Sequence, residues 1–158
     1  MRIIASIALC GLLCGSVGRV AVAEPVASGI AVMTASDSSA EQLDARARKR
    51  HGQIARRTAT ETLRRGGIAA RRAGLAARQL DVSVTRWLIA SAGRRTDVTA
   101  EIRIVLCDDK GRMLSILNGK ATISGDNAQL ASLREQVIVE GVGQLVARLG
   151  PQIARTSV

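Results

Sequence analysis

The sequence predicts an α+β fold in which a three-stranded antiparallel meander packs on a C-terminal helix, preceded by an N-terminal basic helical region. Three observations predict it. Apolar and polar residues alternate over much of 79–123, which is typical of strands with one buried face. Leucines and valines then recur at spacings of mostly three to five from Leu130 to Leu149, which favours a helix. Good helix formers and arginines dominate 42–78.

The chain begins with the three parts of a secretory signal peptide. Arg2 supplies a positive charge, residues 3–13 form an apolar run, and Ala21, Val22 and Ala23 provide the small-x-small pattern that precedes cleavage. The apolar run is shorter than the roughly 20 residues needed to span a bilayer, so a retained membrane anchor is the less favoured alternative. We therefore expect residues 1–23 to be removed near Ala23 and the protein to be exported, as a periplasmic or secreted protein.

The cysteines bear on anchoring and on redox chemistry. Cys10 and Cys14 lie in the signal, and each follows a leucine, whereas bacterial lipoprotein signals place a small residue before the modified cysteine. Simple cleavage is therefore favoured over lipidation. Cleavage leaves Cys107 as the only cysteine, which excludes an intramolecular disulfide. A thiol-dependent activity, a Cys107–His51 pair or a covalent dimer through Cys107 is the least favoured hypothesis.

The charge of the chain favours anionic partners. Removing 23 of 158 residues leaves 135, the size of one domain, and the loss of Arg2 and Arg19 lowers the formal net charge from +10 to +8. A charge of this size attracts anions over long range. Trp87 is the only aromatic residue, so nucleic acid is a candidate partner without the stacking residues that single-strand binders usually carry.

The part between the signal and the sheet divides into two segments. Residues 24–41 are rich in Ala, Ser, Val and Asp without a clear period, and they are predicted to form a flexible leader. The basic helical region at 42–78 follows, with Asp37, Ser38 or Ser39 as candidate N-caps. A double glycine interrupts this region, so the sequence is compatible with one helix or with two.

Basic doublets recur in this region at steps of seven or eight residues, close to two turns of α-helix. The doublets are Lys49 and Arg50, Arg56 and Arg57, Arg64 and Arg65, and Arg71 and Arg72. A continuous helix would align them on one face. This pattern indicates either a solvated face or a binding surface for an anionic polymer or for lipid headgroups.

The α+β domain is predicted over 79–150. The inner face of its sheet is predicted to consist of Leu80, Val82, Val84, Ala100, Ile102, Ile104 and Leu106. A turn over 108–111, ending in glycine, connects the second strand to a third over 112–123, in which Gly119 marks a bulge or a close contact. The helix is expected to end at Gly150 and Pro151, leaving a tail over 151–158. A fourth strand near 137–139 is the alternative to its middle part.

Trp87 and His51 are the remaining residues whose side chains could have a functional role. Continued alternation places Trp87 opposite the apolar face of the first strand, where it is a candidate contact for a protein partner, the edge of the core being the alternative. His51 is the only histidine, and the motifs of phosphate loops and serine hydrolases are absent from the sequence. We expect no enzymatic activity, no cofactor and no metal site, and infer no small-molecule substrate.

Residues 79–149 resemble a family of small exported proteobacterial proteins of uncharacterised function. The resemblance lies in the strand at 80–85, the return strand that begins at 111–114 and ends near 118–122, and the alanine- and valine-rich helix that follows. The segment is also distantly similar to the small α+β domains of outer-membrane lipoproteins that activate cell-wall synthases. The resemblance implies an α+β fold in the cell envelope, and no catalytic residues can be carried over from either group.

These features predict an exported, non-enzymatic binding module of the cell envelope. Its partner would be an envelope protein, met by the basic helix or by the sheet face near Trp87. The alternative is an anionic polymer or lipid surface, met by the arginine doublets.

Overall fold

The computed structural model of the chain describes residues 29–66 and 78–155, with side chains described as far as residue 149. The elements are β1 (Ile30–Asp37), α1 (Ala45–Arg65), β2 (Arg78–Ala92), β3 (Arg95–Asp108), β4 (Met113–Asp126) and α2 (Leu130–Arg155). The strands form one sheet in the order β1-β2-β3-β4, in which β1 is parallel to β2 and the other pairs are antiparallel. The α+β class is confirmed, and the predicted meander is the antiparallel part of a four-stranded mixed sheet.

Strand β1 occupies residues 30–37 of the predicted flexible leader. Ile30 and Val32 are buried, but a register shift between Val32 and Thr34 inserts an extra residue, Met33, which is 45% exposed. The insertion breaks the alternation of the sequence, which is why the segment shows no clear period. Because parallel strands cannot be joined by a hairpin, the chain between β1 and β2 must cross over, and α1 forms part of that crossover. The predictions for residues 1–23 and for Arg71 and Arg72 lie outside the described residues.

Strands β2 and β3 supply the predicted inner face. All seven predicted residues are at most 1% exposed. A second register shift, between Val84 and Arg86, changes the alternation of β2 from that point onward. Trp87 therefore pairs with Ala100 and points to the buried side, at 7% exposure. Its predicted position on the polar face is wrong because the bulge moves every later side chain to the other face.

The predicted turn after β3 is confirmed. The amide of Gly111 donates to the carbonyl of Asp108 at 3.1 Å, and Gly111 has a φ of +76°, in the left-handed region that favours glycine. The Asp108 carboxylate accepts from the amide of Lys110 at 3.0 Å, as is typical of an aspartate that starts a turn. The hairpin between β2 and β3 is closed by Gly93, with a φ of +61°, and Arg94.

Helix α1 lies against β1 and α2 through a narrow stripe of mostly small residues. The stripe comprises His51, Gly52, Ala55, Ala59 and Leu63, most of them one helical turn apart. The N-cap is Asp44, whose side chain accepts from the amide of Ala47 at 2.6 Å, and not one of the predicted residues in the preceding loop. Because the stripe is built from small residues, the helix approaches β1 closely.

Helix α2 covers β3 and β4. Its predicted helical state is confirmed, and the alternative strand near 137–139 is wrong. A 3-10 turn over Asn127–Gln129, capped by Asp126, leads into it. Gly119 is a close-packing point, because a Cβ there would lie 2.7 Å from a methyl carbon of Leu145. The backbone stays helical to Arg155, so Pro151 does not end the helix and the predicted tail begins later. None of the described helices is long and apolar enough to cross a membrane.

Candidate functional site

The outward side of α1 is strongly cationic. The helix contains eight basic residues and one acidic residue, Glu61. All doublet residues in the described part of the chain are exposed: Lys49, Arg50, Arg56, Arg57, Arg64 and Arg65. They lie away from the buried stripe, so the structure places them together on the solvent side, which we call the cationic face.

Two residues of the cationic face have ionic partners within the protein. Arg50 pairs with Glu135 of α2 at 2.5 Å, and Arg65 pairs with Glu61 at 2.9 Å. Exposed pairs of this kind contribute little to stability.

The other residues of the cationic face are free of such partners. The side chains of Lys49, Arg56, Arg57 and Arg64 form no ion pair or hydrogen bond with any other residue that the structure describes. Arg46 is also exposed and has no ionic partner among the described residues, but it is not part of a doublet, so the doublet pattern did not predict it.

The dimensions of the cationic face restrict its ligand. At a rise of 1.5 Å per residue, Lys49 and Arg64 are about 23 Å apart along the helix. None of the large exposed hydrophobic residues lies on α1. The face therefore matches an extended anion, a polymer or a surface, and has no apolar side chain to insert into hydrocarbon.

A group of hydrogen-bonded polar side chains is buried where β1, α1 and β2 meet. One carboxylate oxygen of Asp37, Oδ2, lies 2.7 Å from Nδ1 of His51 and accepts from Nε1 of Trp87 at 3.1 Å. The other, Oδ1, accepts from the amide and the hydroxyl of Ser39 at 3.1 and 2.6 Å. We call these four residues the Asp37 cluster.

The carboxylate of the Asp37 cluster is ionised, and the cluster is almost completely buried. The side chain of Asp37 is fully buried and that of His51 is 6% exposed. Burial by itself raises the pKa of Asp37, but the hydrogen bonds from His51, Ser39 and Trp87 outweigh burial and hold the pKa well below its usual range. Asp37 is therefore a carboxylate at neutral pH, and Nδ1 of His51 donates to it.

Two arginines surround the Asp37 cluster. Arg48 of α1 donates to three backbone carbonyl groups in the segment from residue 37 to residue 41, at 2.6 to 3.2 Å. Arg134 of α2 pairs with Glu41 and lies 5.5 Å from the centre of the Trp87 ring, a distance suited to a cation–π contact. These contacts tie the segment after β1 to both helices.

The Asp37 cluster connects β1, α1 and β2, and its hydrogen bonds differ from those of a nucleophilic triad. In a nucleophilic triad, the carboxylate orients the histidine and the hydroxyl bonds to the other imidazole nitrogen. Here the hydroxyl of Ser39 donates to the carboxylate itself. Cys107 does not approach His51, since it pairs with Gln79 in the sheet, eight residues along β2 from Trp87, or about 26 Å at 3.3 Å per residue.

Two corrections to the predicted sites follow. Trp87 belongs to the Asp37 cluster and is not available as a contact for a partner on the sheet surface. The hypothesis of a Cys107–His51 pair is wrong, because His51 faces the interior beside Asp37 and Cys107 lies far along the sheet. The spacing of four residues between His51 and Ala55, which continues to Ala59 and Leu63, is the sequence signal that assigns His51 to the buried stripe.

Comparisons with known proteins supply no family. No family model matches the chain, and no curated protein matches it significantly. Similar solved structures include a lipoprotein from Caulobacter crescentus, with 14% identity, 83% of this chain and 92% of that chain covered, and a TM-score of 0.48. A minor lipoprotein from Acinetobacter baumannii has 15% identity, covers 76% and 90%, and has a TM-score of 0.49. The PelC dodecamer from Paraburkholderia phytofirmans has 23% identity, covers 75% and 89%, and has a TM-score of 0.46. Likeness at this level carries no functional information.

Proposed function

We propose that this protein is an exported, non-enzymatic binding module of the cell envelope that holds a phosphate-bearing polyanion, a polymer or a membrane surface, against the cationic face of α1. The observation that carries the proposal is the set of four exposed cations on that face, Lys49, Arg56, Arg57 and Arg64, which have no ionic partner among the described residues. Export is proposed from the signal pattern of residues 1–23.

The chemistry of the cationic face suits phosphate. Arginine presents a planar fork of donors that matches phosphate oxygens, and it stays charged at every relevant pH. Neutralising several phosphates releases the counterions around a polyanion, which favours binding at low salt. The like charges of the face also repel one another along the helix, so an anionic partner relieves repulsion as well as adding attraction.

Burial supports a contact on α1. Trp87, the residue expected to meet a protein on the sheet, is buried inside the molecule, whereas the arginines of α1 are exposed. The proposal therefore uses α1 as the contact surface. Because α1 exposes no large apolar residue, binding to a membrane would be peripheral and would depend on headgroup charge alone.

Cosedimentation with phosphatidylglycerol vesicles and a pull-down on immobilised polyphosphate test the proposal and separate its two sources of phosphate. We expect binding to at least one of them, weakened about a hundredfold between 50 and 200 mM salt for four neutralised phosphates. A variant that changes Arg56, Arg57, Arg64 and Arg65 to glutamine should lose this binding. Its free energy of unfolding should change by less than about 1 kcal/mol, because these side chains are exposed.

The matched control removes the same number of charges from the sheet side of the molecule, by changing Arg86, Arg94, Arg95 and Arg103 to glutamine. These side chains are exposed, as the α1 arginines are. The control variant should keep most of the binding. An equal loss in both variants would show that net charge, not the cationic face, is responsible, and the proposal would fail. Failure to bind either phosphate source at low salt would also remove it.

A further inference from the structure

A groove of about 640 Å³ runs between α1 and α2, beside the end of β4. This volume lies within the range of small-molecule binding sites. The floor of the groove is aliphatic and comes from three elements. Ile54 of α1 and Ile123 of β4 are half-buried against the core, and Val139 of α2 is 48% exposed. An alkyl chain lying on this floor would remove apolar surface of both partners from water.

The walls of the groove carry charges of both signs. Arg57 and Glu61 belong to α1, and Glu135 and Glu140 belong to α2. Glu61 is held by Arg65 at 2.9 Å and Glu135 by Arg50 at 2.5 Å, so their charges are already compensated.

Two of these wall charges have no ionic partner among the residues that the structure describes. Glu140 accepts a hydrogen bond from the neutral amide of Gln144 at 2.6 Å, and Arg57 makes no ion pair with any described residue. The groove is therefore lined by one such cation from α1 and one such anion from α2, together with the aliphatic residues.

We propose that this groove binds a single-chain zwitterionic amphiphile, a molecule with a phosphate ester, an ammonium group and an alkyl chain. The phosphate takes Arg57, the ammonium group takes Glu140, and the chain lies on Ile54, Ile123 and Val139. A purely anionic amphiphile leaves Glu140 without a counter-charge, and a purely cationic one leaves Arg57 without a counter-charge, so each satisfies only one of the two wall charges. The site does not depend on the proposed polyanion binding, since it uses only Arg57 of the cationic face.

Isothermal titration of the full chain with monomeric lauroyl lysophosphatidylethanolamine, below the concentration at which it forms micelles, tests the proposal. We expect one saturable site. Dodecyl phosphate and dodecylammonium, which each keep one charge, should bind about tenfold more weakly, because each loses one charge-assisted contact. Binding of dodecyl phosphate as tight as that of the zwitterion would overturn the proposal, as would the absence of saturable heat with the folded protein.

Single substitutions locate the site and separate it from the polyanion surface. Arg57→Gln and Glu140→Gln should each weaken binding of the zwitterion about tenfold. Arg56→Gln is the matched control, because Arg56 adjoins Arg57 in sequence but does not line the groove, and it should leave the affinity within about twofold. Equal losses in Arg56→Gln and Arg57→Gln would place the binding on the cationic face and overturn the groove assignment. Glu140→Gln should leave polyphosphate binding intact, so the two proposals fail independently.

Discussion

Helix α1 carries charged residues in two opposite settings. Toward the sheet, Arg48 and His51 are engaged by backbone carbonyls and by the buried carboxylate of Asp37. Toward solvent, Arg56 and Arg64 extend from the same helix without a partner in the described structure. The same kind of side chain thus has a structural role on one side of the helix and is available for binding on the other.

The difference shows which charges stabilise the fold. A buried carboxylate must be hydrogen-bonded, because its charge is costly away from water, and the donors of Asp37 come from α1, from β2 and from the loop that follows β1. Satisfying Asp37 therefore requires β1, α1 and β2 to meet in one arrangement. An exposed arginine is already solvated by water, so its loss changes the fold little and its effect is expected on association.

The largest effect should come from breaking the Asp37 cluster. Asp37→Asn keeps the volume but removes the charge, and its amide group turns a donor toward His51 or Ser39, which are themselves donors. We expect the free energy of unfolding to fall by about 3 kcal/mol, the scale for removing a buried charged acceptor and leaving its donors without a partner. Urea denaturation followed by fluorescence measures this, since Trp87 is the only tryptophan.

Asp97→Asn is the control for this substitution. Asp97 also accepts a hydrogen bond, from Ser124, but its side chain is 51% exposed. The change should cost less than about 0.5 kcal/mol. Equal costs for the two substitutions would mean that burial of the Asp37 cluster contributes nothing, and the contrast between the two sides of α1 would lose its basis.

The second effect is a loss of stability in acid. The folded-state pKa of Asp37 lies below its unfolded value of about 3.9. The contribution of this carboxylate is therefore complete above that value and is lost as the pH falls below it, with a slope that approaches about 1.4 kcal/mol per pH unit. Unfolding free energies measured between pH 5 and pH 2 should show this decline in the wild type, and Asp37→Asn should reduce it.

Part of the acid sensitivity should survive in that variant. The hydrogen bond from Lys120 lowers the pKa of Glu101, and the pKa of Asp108 is also lowered, because hydrogen bonds from Arg112 and Lys110 outweigh its burial. The cations in these two pairs, Lys120 and Arg112, are exposed, so water screens both pairs and their contribution is smaller than that of Asp37. An acid decline of the same size in Asp37→Asn and in the wild type would contradict the assignment to Asp37.

The features that could be predicted from the sequence are those encoded locally. Alternation from Leu80 to Val84 and from Ala100 to Leu106 identified the inner face. The Asp108–Gly111 turn and the helix α2 were also predicted correctly, from the glycine and from the spacing of the leucines. Each depends on neighbours within a few residues, where period and turn chemistry act directly.

The features that the sequence did not reveal depend on single inserted residues and on distant partners. The bulges at Met33 and near Thr85 each invert the alternation, which hid β1 and placed Trp87 on the wrong face. For the cationic face, exposure was foreseeable from the doublets. The sequence did not show which of these arginines have an ionic partner. The partner of Arg50, for example, is Glu135, which lies 85 residues away along the chain.

The smallest expected effect tests the inner side of α1 without changing any charge. A Cβ on Gly52 would lie 2.6 Å from the carbonyl oxygen of Ala35 in β1, a backbone atom that cannot move aside cheaply. Alanine gains about 1 kcal/mol over glycine in a helix, but the clash with β1 should outweigh that gain and leave Gly52→Ala less stable by about 1 to 2 kcal/mol. The midpoint of urea unfolding, at an unchanged dependence on denaturant, measures the difference.

Gly143→Ala in α2 is the matched variant, because the nearest atom to its Cβ is 3.9 Å away, the hydroxyl oxygen of Thr62. With no clash to oppose it, the helix preference of alanine should stabilise the protein by up to about 1 kcal/mol. Opposite signs in the two variants would establish that α1 is held against β1 by contact between backbones as well as by the Asp37 cluster. If both substitutions were stabilising, α1 would stand further from the sheet, and the Asp37 cluster alone would have to hold the helix in place.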